Sequence, residues 1–334
     1  MGETIVLAHG SGGKMSRDLI AKGIVPFISN DLLDKLDDSA VIDFKGRLAF
    51  TTDSYVVSPI FFPGGDIGRL AVCGTVNDLS VVGAAPRYLS LALIIEEGLS
   101  LDDLKKVMKS VKEAAEEAGV VVVTGDTKVV NRGGADKLFI TTSGVGVIPE
   151  GVNASGSNAR PGDKVILSGT IGDHGITIMS QREGLKFDVP VVSDCAPLNK
   201  MVAAMLKASP RIHAMRDPTR GGLATTLNEI ARQSNVGIRL TEETVPVREA
   251  VRAACELLGF DPLHVANEGK LVAIVPAGVA SRVLAAMKKN HYGKDAAIIG
   301  EVITDHPGKV TMTTRLGTTR IVDMLTGELL PRIC

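Results

Sequence analysis

The residues in this chain best suited to chemistry are acidic and lie beside Gly, Ser, Thr or Asn. Asp37 and Asp38 precede an apolar run, Asp53 stands in TTDS, Asn77 and Asp78 come late in a helical pattern, Asp126 is in TGDTK, and Asp217 is in MRDPTRGGL. Magnesium takes oxygen ligands and commonly bridges one or two carboxylates to nucleotide phosphates. The pattern therefore predicts metal ligands at Asp37, Asp38, Asp53, Asp78, Asp126 and Asp217. A single Asp beside a turn residue is more often an ordinary cap, and Asp66 is read that way. Phosphate partners are expected at Gly12, Gly13 and Lys14 of HGSGGK, at Asn77 and Thr127, and at Thr219, Arg220 and Gly221, where bare backbone enters a helix. Lys128 and Glu268 read first as surface charges. Cys334 is the last residue, and a thiol there is a candidate nucleophile.

Several familiar motifs are absent. HGSGGK has the wrong spacing for a Walker A loop, and Met15 follows the lysine. The glycines at 144 and 146 lack a third partner because Pro149 stands in its place, so the dinucleotide fingerprint fails. The four cysteines, at 73, 195, 255 and 334, form no CxxC and predict neither a zinc site nor a disulfide framework. Cys73 falls inside a predicted helix and reads as core.

These side chains need two scaffolds. The chain has 334 residues, which at roughly 150 residues per domain suggests about two domains. The Gly-, Pro-, Asn- and Ser-rich stretch Pro149 to Gly162 is the boundary. Expected are a flexible glycine-rich lead over 1–36, an N-terminal domain over 37–150, a C-terminal domain over 151–325 and a mobile tail over 326–334. Periodicity predicts helices over 66–82, closed by Gly83, over 100–118, closed by Gly119, and over 196–208, 222–234, 247–258 and 278–290. Strands are expected at 40–44, 48–52, 88–95, 120–123, 138–147, 164–168, 236–240, 271–275, 296–304 and 318–323. Several strands are adjacent rather than alternating with helices, which favours α+β over a doubly wound sheet.

Composition narrows the function. Lys and Arg number 37 against 38 Asp and Glu, leaving −1, and aromatics make up 3% with no Trp. Neither a charge footprint nor stacking platforms for nucleic acid are present. No apolar run reaches the roughly 18 residues of a membrane span. The start lacks a basic n-region, and Val6 breaks the myristoylation pattern, so the cytoplasm is the expected compartment.

Taken together, HGSGG (9–13), DDSAV (37–41), the block from Thr51 to Ala84, GDTKVV (125–130), MRDPTRGGL (215–223), NEGK (267–270) and the terminal PRIC resemble the HypE family of hydrogenase maturation factors, in the PurM-like or aminoimidazole ribonucleotide synthetase superfamily. The resemblance spans nearly the whole chain. It implies a two-domain PurM-like α+β fold that forms a homodimer through its N-terminal sheet. It implies ATP and Mg²⁺ as cofactors, and a C-terminal cysteine, here Cys334, that receives a carbamoyl group from the carbamoyltransferase HypF. ATP-dependent dehydration would then give a thiocyanate, whose cyano group passes to an iron held by HypC–HypD. The resemblance makes Lys128 and Glu268 candidates for proton transfer or substrate orientation, with the choice between them open. Alternatives are other enzymes of that superfamily, of the selenophosphate synthetase or thiamine monophosphate kinase type, and a non-catalytic dimeric carrier presenting Cys334.

Overall fold

The structure is a computed structural model that describes residues 4–10, 14–35, 39–184, 190–324 and 332–334. Gly12, Gly13, Asp37 and Asp38 lie outside the described residues. The N-terminal half contains α1 (Lys14–Leu19), α2 (Val25–Ile28), β1 (Arg47–Tyr55), β2 (Phe61–Phe62), β3 (Gly65–Asp66), α3 (Ile67–Val81), β4 (Ala85–Glu96), α4 (Leu101–Ala118), β5 (Val121–Val130) and β6 (Leu138–Ile148). The C-terminal half contains β7 (Lys164–Leu167), α5 (Asp173–Glu183), α6 (Asn199–Ala208), β8 (Ala214–Arg216), α7 (Gly222–Ser234), β9 (Gly237–Thr241), α8 (Glu249–Leu258), β10 (Val272–Val275), α9 (Ala277–Lys288), β11 (Ala297–Ile303), β12 (Val310–Thr313) and β13 (Thr319–Val322).

The first half builds a four-stranded sheet in the order β1-β6-β4-β5, antiparallel except for the β4–β5 pair. The second builds a seven-stranded sheet in the order β13-β12-β9-β11-β7-β10-β8, with β12 and β9 parallel. This is the expected α+β class. No helix among the described residues is long and apolar enough to cross a membrane.

Helix α3 is the wedge between the halves. Asp66 caps it, accepting hydrogen bonds from the backbone N–H groups of Gly68 at 2.8 Å and Arg69 at 3.0 Å. Gly83 follows its end with φ +82°. Nearly every residue of α3 is buried, because it packs on the sheet, on α4 and on the C-terminal domain. One face of the sheet, carrying Thr51, Asp53, Tyr55 and Thr142, looks at α3. On the other, Leu48, Phe50 and Ile94 stand exposed.

Three local expectations change. Residues 40–44 form no strand, and Phe44 instead packs edge-on to Tyr88 with ring centroids 5.7 Å apart. Within the expected flexible lead, residues 14–28 form α1 and α2, joined by a π-helical turn. Strand β5 continues through GDTK rather than ending at 123, because β4 supplies a parallel partner along that whole length.

The α3–α4 contact depends on Gly68, where a Cβ would lie 2.5 Å from the Val107 carbonyl oxygen. Overpacking a helix crossing costs about 1–3 kcal/mol, more than the roughly 1 kcal/mol of helix propensity that alanine adds. Gly68→Ala should therefore lower the Tm in calorimetry, by about 1–3 °C for a net loss of up to about 2 kcal/mol. An unchanged Tm would contradict this packing.

Candidate functional site

The cleft between the domains is acidic on three sides. Asp53 projects from β1, Asp78 from the end of α3, and Asp217 from the segment between β8 and α7. The Thr51 hydroxyl donates to Asp78 Oδ2 at 2.9 Å. Burial pushes the Asp78 carboxyl above its ordinary value, and Asp53 adds to the shift against that hydrogen bond. Burial, then Asp78 and Asp53, push Asp217 up to about 7. A cavity of about 640 Å³ opens beside Asp78 and Asp217 and is also lined by Ser155, Ser157 and Gln233.

Glu268 sits deeper, at 4% exposure. Its peptide N–H donates to Asp194 Oδ1 at 3.1 Å, and its carbonyl accepts from the Asn77 amide at 3.2 Å. Burial raises its carboxyl well above the usual range, with Asp194, Asp217 and Asp53 adding to the shift. Its Oε1 is buried without a hydrogen-bond partner. Asp194 behaves oppositely: burial opposes its ionisation, but Lys270, 3.1 Å away, holds it below the usual range.

The C-terminus enters this cleft. Ile333 is 2% exposed in a core shared by the two halves, and burying such a side chain is worth about 1.5–3 kcal/mol. The Val56 N–H donates to the Cys334 carbonyl at 3.0 Å, and Arg332 pairs with Asp136 at 2.7 Å. Burial, with Glu268 and Asp53 adding and Arg220 opposing, pushes the Cys334 thiol up to about 12. The tail expected to be mobile is thus docked at its last three residues; 325–331 lie outside the described residues.

The sequence-predicted residues divide into two groups. Asp53, Asp78, Asp217, Arg220, Glu268 and Cys334 share the cleft, and their charges act on one another. Thr219 and Gly221 stand at the entry to α7, where Gly221 has φ +77° and serves as N-cap without a capping side chain. Asn77 is engaged wholly by protein: its amide group donates to the carbonyls of Ala196 and Glu268, and its Oδ1 accepts from the Leu198 N–H at 2.8 Å. Asp126, Thr127 and Lys128 lie elsewhere. The register aligns Asp53, Thr142, Leu91 and Gly125 across the sheet, so the two edge strands are about 14 Å apart at about 4.8 Å per ladder step. Asp126 and Lys128 align with Ala92 and Ile94, on the face opposite Asp53, and pair with each other at 2.8 Å. Lys14 is exposed at the start of α1. The Ser16 and Arg17 that follow it line a groove of about 760 Å³ with residues 123–128.

Sequence reasoning missed the groups that hold the tail, His174, Arg182 and Asp136, and the Asn267 that straps the 217–221 segment by donating to the Pro218 carbonyl at 2.8 Å. The available signal was a His placed among apolar residues at the start of α5.

Among the described residues no three acidic, His or Cys groups form a metal site unaided. The three carboxylates of Asp53, Asp78 and Asp217, gathered without an ion pair to a protein cation among the described residues, nevertheless fit a metal whose remaining ligands come from phosphates.

Residues 36–148 match the family described as AIR synthase related protein, N-terminal domain, and residues 160–313 match its C-terminal domain. The carbamoyl dehydratase HypE of Azotobacter vinelandii is 55% identical over 332 residues, covering 99% of this chain and 97% of that protein. Its Escherichia coli counterpart is 48% identical and covers 99% of both. A crystal structure of the hydrogenase maturation protein HypE in complex with ATP superposes with a TM-score of 0.96 at 52% identity, covering 99% of this chain and 100% of that one. A HypE–HypF complex gives 0.82 at 51% identity, covering 94% and 100%. A thiamine-monophosphate kinase of Stenotrophomonas maltophilia, at 20% identity and a TM-score of 0.67, shares the fold.

A raised carboxyl binds its proton more tightly folded than unfolded, so stability falls as pH climbs from about 4 towards the folded value. For Asp217 that upper limit is about 7. Asp217→Asn, without metal or nucleotide, should therefore melt about 3–6 °C above the parent at pH 8, with a smaller gap at pH 5. A gap that does not depend on pH would contradict the charge repulsion.

Proposed function

The chain belongs to the HypE family of carbamoyl dehydratases, and we propose that its inter-domain cleft dehydrates a carbamoyl group carried on Cys334 to S-cyanocysteine. The observation that carries this is the docked tail: Ile333 is buried, and the Cys334 thiol is placed among Glu268, Arg220 and Asp53. A tail that brings its own substrate makes the step intramolecular, removing the entropy of collecting a second molecule.

An amide oxygen leaves poorly. Bound Mg²⁺-ATP supplies a phosphoryl group to it, so that phosphate departs as the nitrogen loses its two protons and C≡N forms. Glu268 takes one of those protons, since burial makes it a stronger base than an exposed carboxylate, and the departing phosphate carries the other. Asp53, Asp78 and Asp217 hold Mg²⁺, while Arg220, Thr219 and the backbone at Gly221 meet phosphates. Asn77 positions Glu268 through its carbonyl.

Docked, the thiol holds its proton too tightly to attack. Carbamoylation by HypF therefore takes place with the tail released, and the cyano group leaves for HypC–HypD the same way, in the cytoplasm. A homodimer formed through the outer sheet face would cover Leu48 and Phe50 and turn Asp126 and Lys128 towards the second protomer. Asp126, Thr127, Lys128 and Lys14 would serve nucleotide and metal, as would Gly12, Gly13, Asp37 and Asp38, which lie outside the described residues. Within one chain, then, the base is Glu268.

Incubation with HypF, carbamoyl phosphate and ATP should add a carbamoyl mass to the C-terminal peptide, and further Mg²⁺-ATP should remove one water. Glu268→Gln should accept the carbamoyl group normally but lose water about 10²-fold more slowly or worse. Dehydration of the Gln variant at the parent rate would remove Glu268 as the base.

A further inference from the structure

His174 is a fully buried titratable group that the chemistry above leaves unused. It stands in the first turn of α5, with Phe62 edge-on at 5.5 Å. Its Nδ1 is 2.8 Å from the Ser193 hydroxyl and its Nε2 is 2.8 Å from the Ile333 carbonyl oxygen. Burial keeps the imidazole below its usual proton affinity, so the ring is neutral and carries one N–H. A carbonyl only accepts, so that hydrogen is on Nε2, and Nδ1 accepts from Ser193. Ser193 is fixed in turn: its N–H donates to the Pro63 carbonyl at 2.9 Å, and its Oγ accepts from the Cys195 N–H at 3.2 Å.

The Ile333 carbonyl belongs to the peptide unit that joins Ile333 to Cys334. With Val56 donating to the main-chain oxygen of Cys334 on the far side, two hydrogen bonds hold the backbone on both sides of the Cys334 Cα. The χ1 torsion of Cys334 is then the main freedom left before the sulfur. The Arg332–Asp136 pair lies further out and is partly exposed, so it tethers the tail without aiming the thiol.

We propose that His174 is a positioning residue for dehydration: donating from Nε2 to the Ile333 carbonyl, it aims the Cys334 side chain at Glu268. This rests on the reading of the cleft given above. Carbamoylation, which takes place with the tail released, does not need the contact.

The test compares full-length His174→Asn, His174→Gln and Ser193→Ala with the parent. The Asn amide reaches Ser193 but not Ile333, whereas the Gln amide can donate where Nε2 does. Two rates are read by mass on the C-terminal peptide: alkylation of Cys334 by iodoacetamide without nucleotide, and single-turnover water loss from the carbamoylated chain with Mg²⁺-ATP. The Asn variant should alkylate about tenfold faster and lose water about tenfold more slowly, with carbamoylation at least as fast as in the parent, because a small misplacement of reacting groups is enough to cost that much. Gln should restore both rates. Ser193→Ala keeps the ring and its packing, frees the tautomer and should shift both rates the same way by less, so it reports even where the Asn chain folds poorly. Equal rates for Asn and parent would overturn the proposal, as would a Gln variant no better than Asn. If the parent accepts carbamoyl but never loses water, the reading of the cleft fails and the step fails with it. Alkylation then separately decides whether His174 holds the tail.

Discussion

Asn77 sits at 1% exposure on the flank of α3 that meets the C-terminal domain, and its amide bonds three backbone groups there: the carbonyls of Ala196 and Glu268 and the N–H of Leu198. A buried amide left without partners costs about 1–3 kcal/mol for each group, so this side chain strongly favours one seating of the two halves. The cleft follows from that seating. Asp78 is one residue further along α3, Asp53 lies on the strand packed beneath it, and Glu268 is held by the same amide that locates the helix. The chemical groups therefore share one rigid reference, as a reaction sensitive to placements of an ångström or so requires.

The cleft stores unfavourable electrostatics. Burial and the Asp53 charge raise Asp78, burial with Asp78 and Asp53 raises Asp217, Glu268 is buried with one oxygen unpartnered, and the thiol beside it is pushed up to about 12. Each of these costs the folded protein something, and each is relieved by a different event in the proposed cycle. Cation and phosphates meet the aspartates, the carbamoyl nitrogen meets Glu268, and release of the tail restores an ordinary thiol. Perturbed groups gathered in one cleft are what a functional site requires and a structural core avoids.

Much of this was legible in the sequence because it is local. The Asp66 cap, the helical spacing of α3 and the glycines at 83 and 119 act within a few residues and appear as expected. The acidic signatures at 53, 78 and 217 and the Glu268 loop converge as a set. What could not be read depends on register and on distant partners. Whether Asp126 and Lys128 face the cleft is decided by how β5 aligns with β4, and a one-residue change in that alignment would turn them over. The docked tail depends on His174, Arg182 and Asp136, each more than 140 residues from it in sequence, and nothing near Cys334 reports them. Residues 40–44 have strand composition, yet Phe44 finds an aromatic face instead of a neighbouring strand.

The central claim is that the docked cysteine's carbamoyl oxygen is converted into a phosphate leaving group inside this cleft. Its most direct test is isotopic: Cys334 is carbamoylated with carbonyl-¹⁸O carbamoyl phosphate, the carbamoylated chain is isolated, and Mg²⁺-ATP is added for a single turnover. The account predicts the label in inorganic phosphate, in step with the loss of one water's mass from the C-terminal peptide. Label released into water, with unlabelled phosphate, would contradict it.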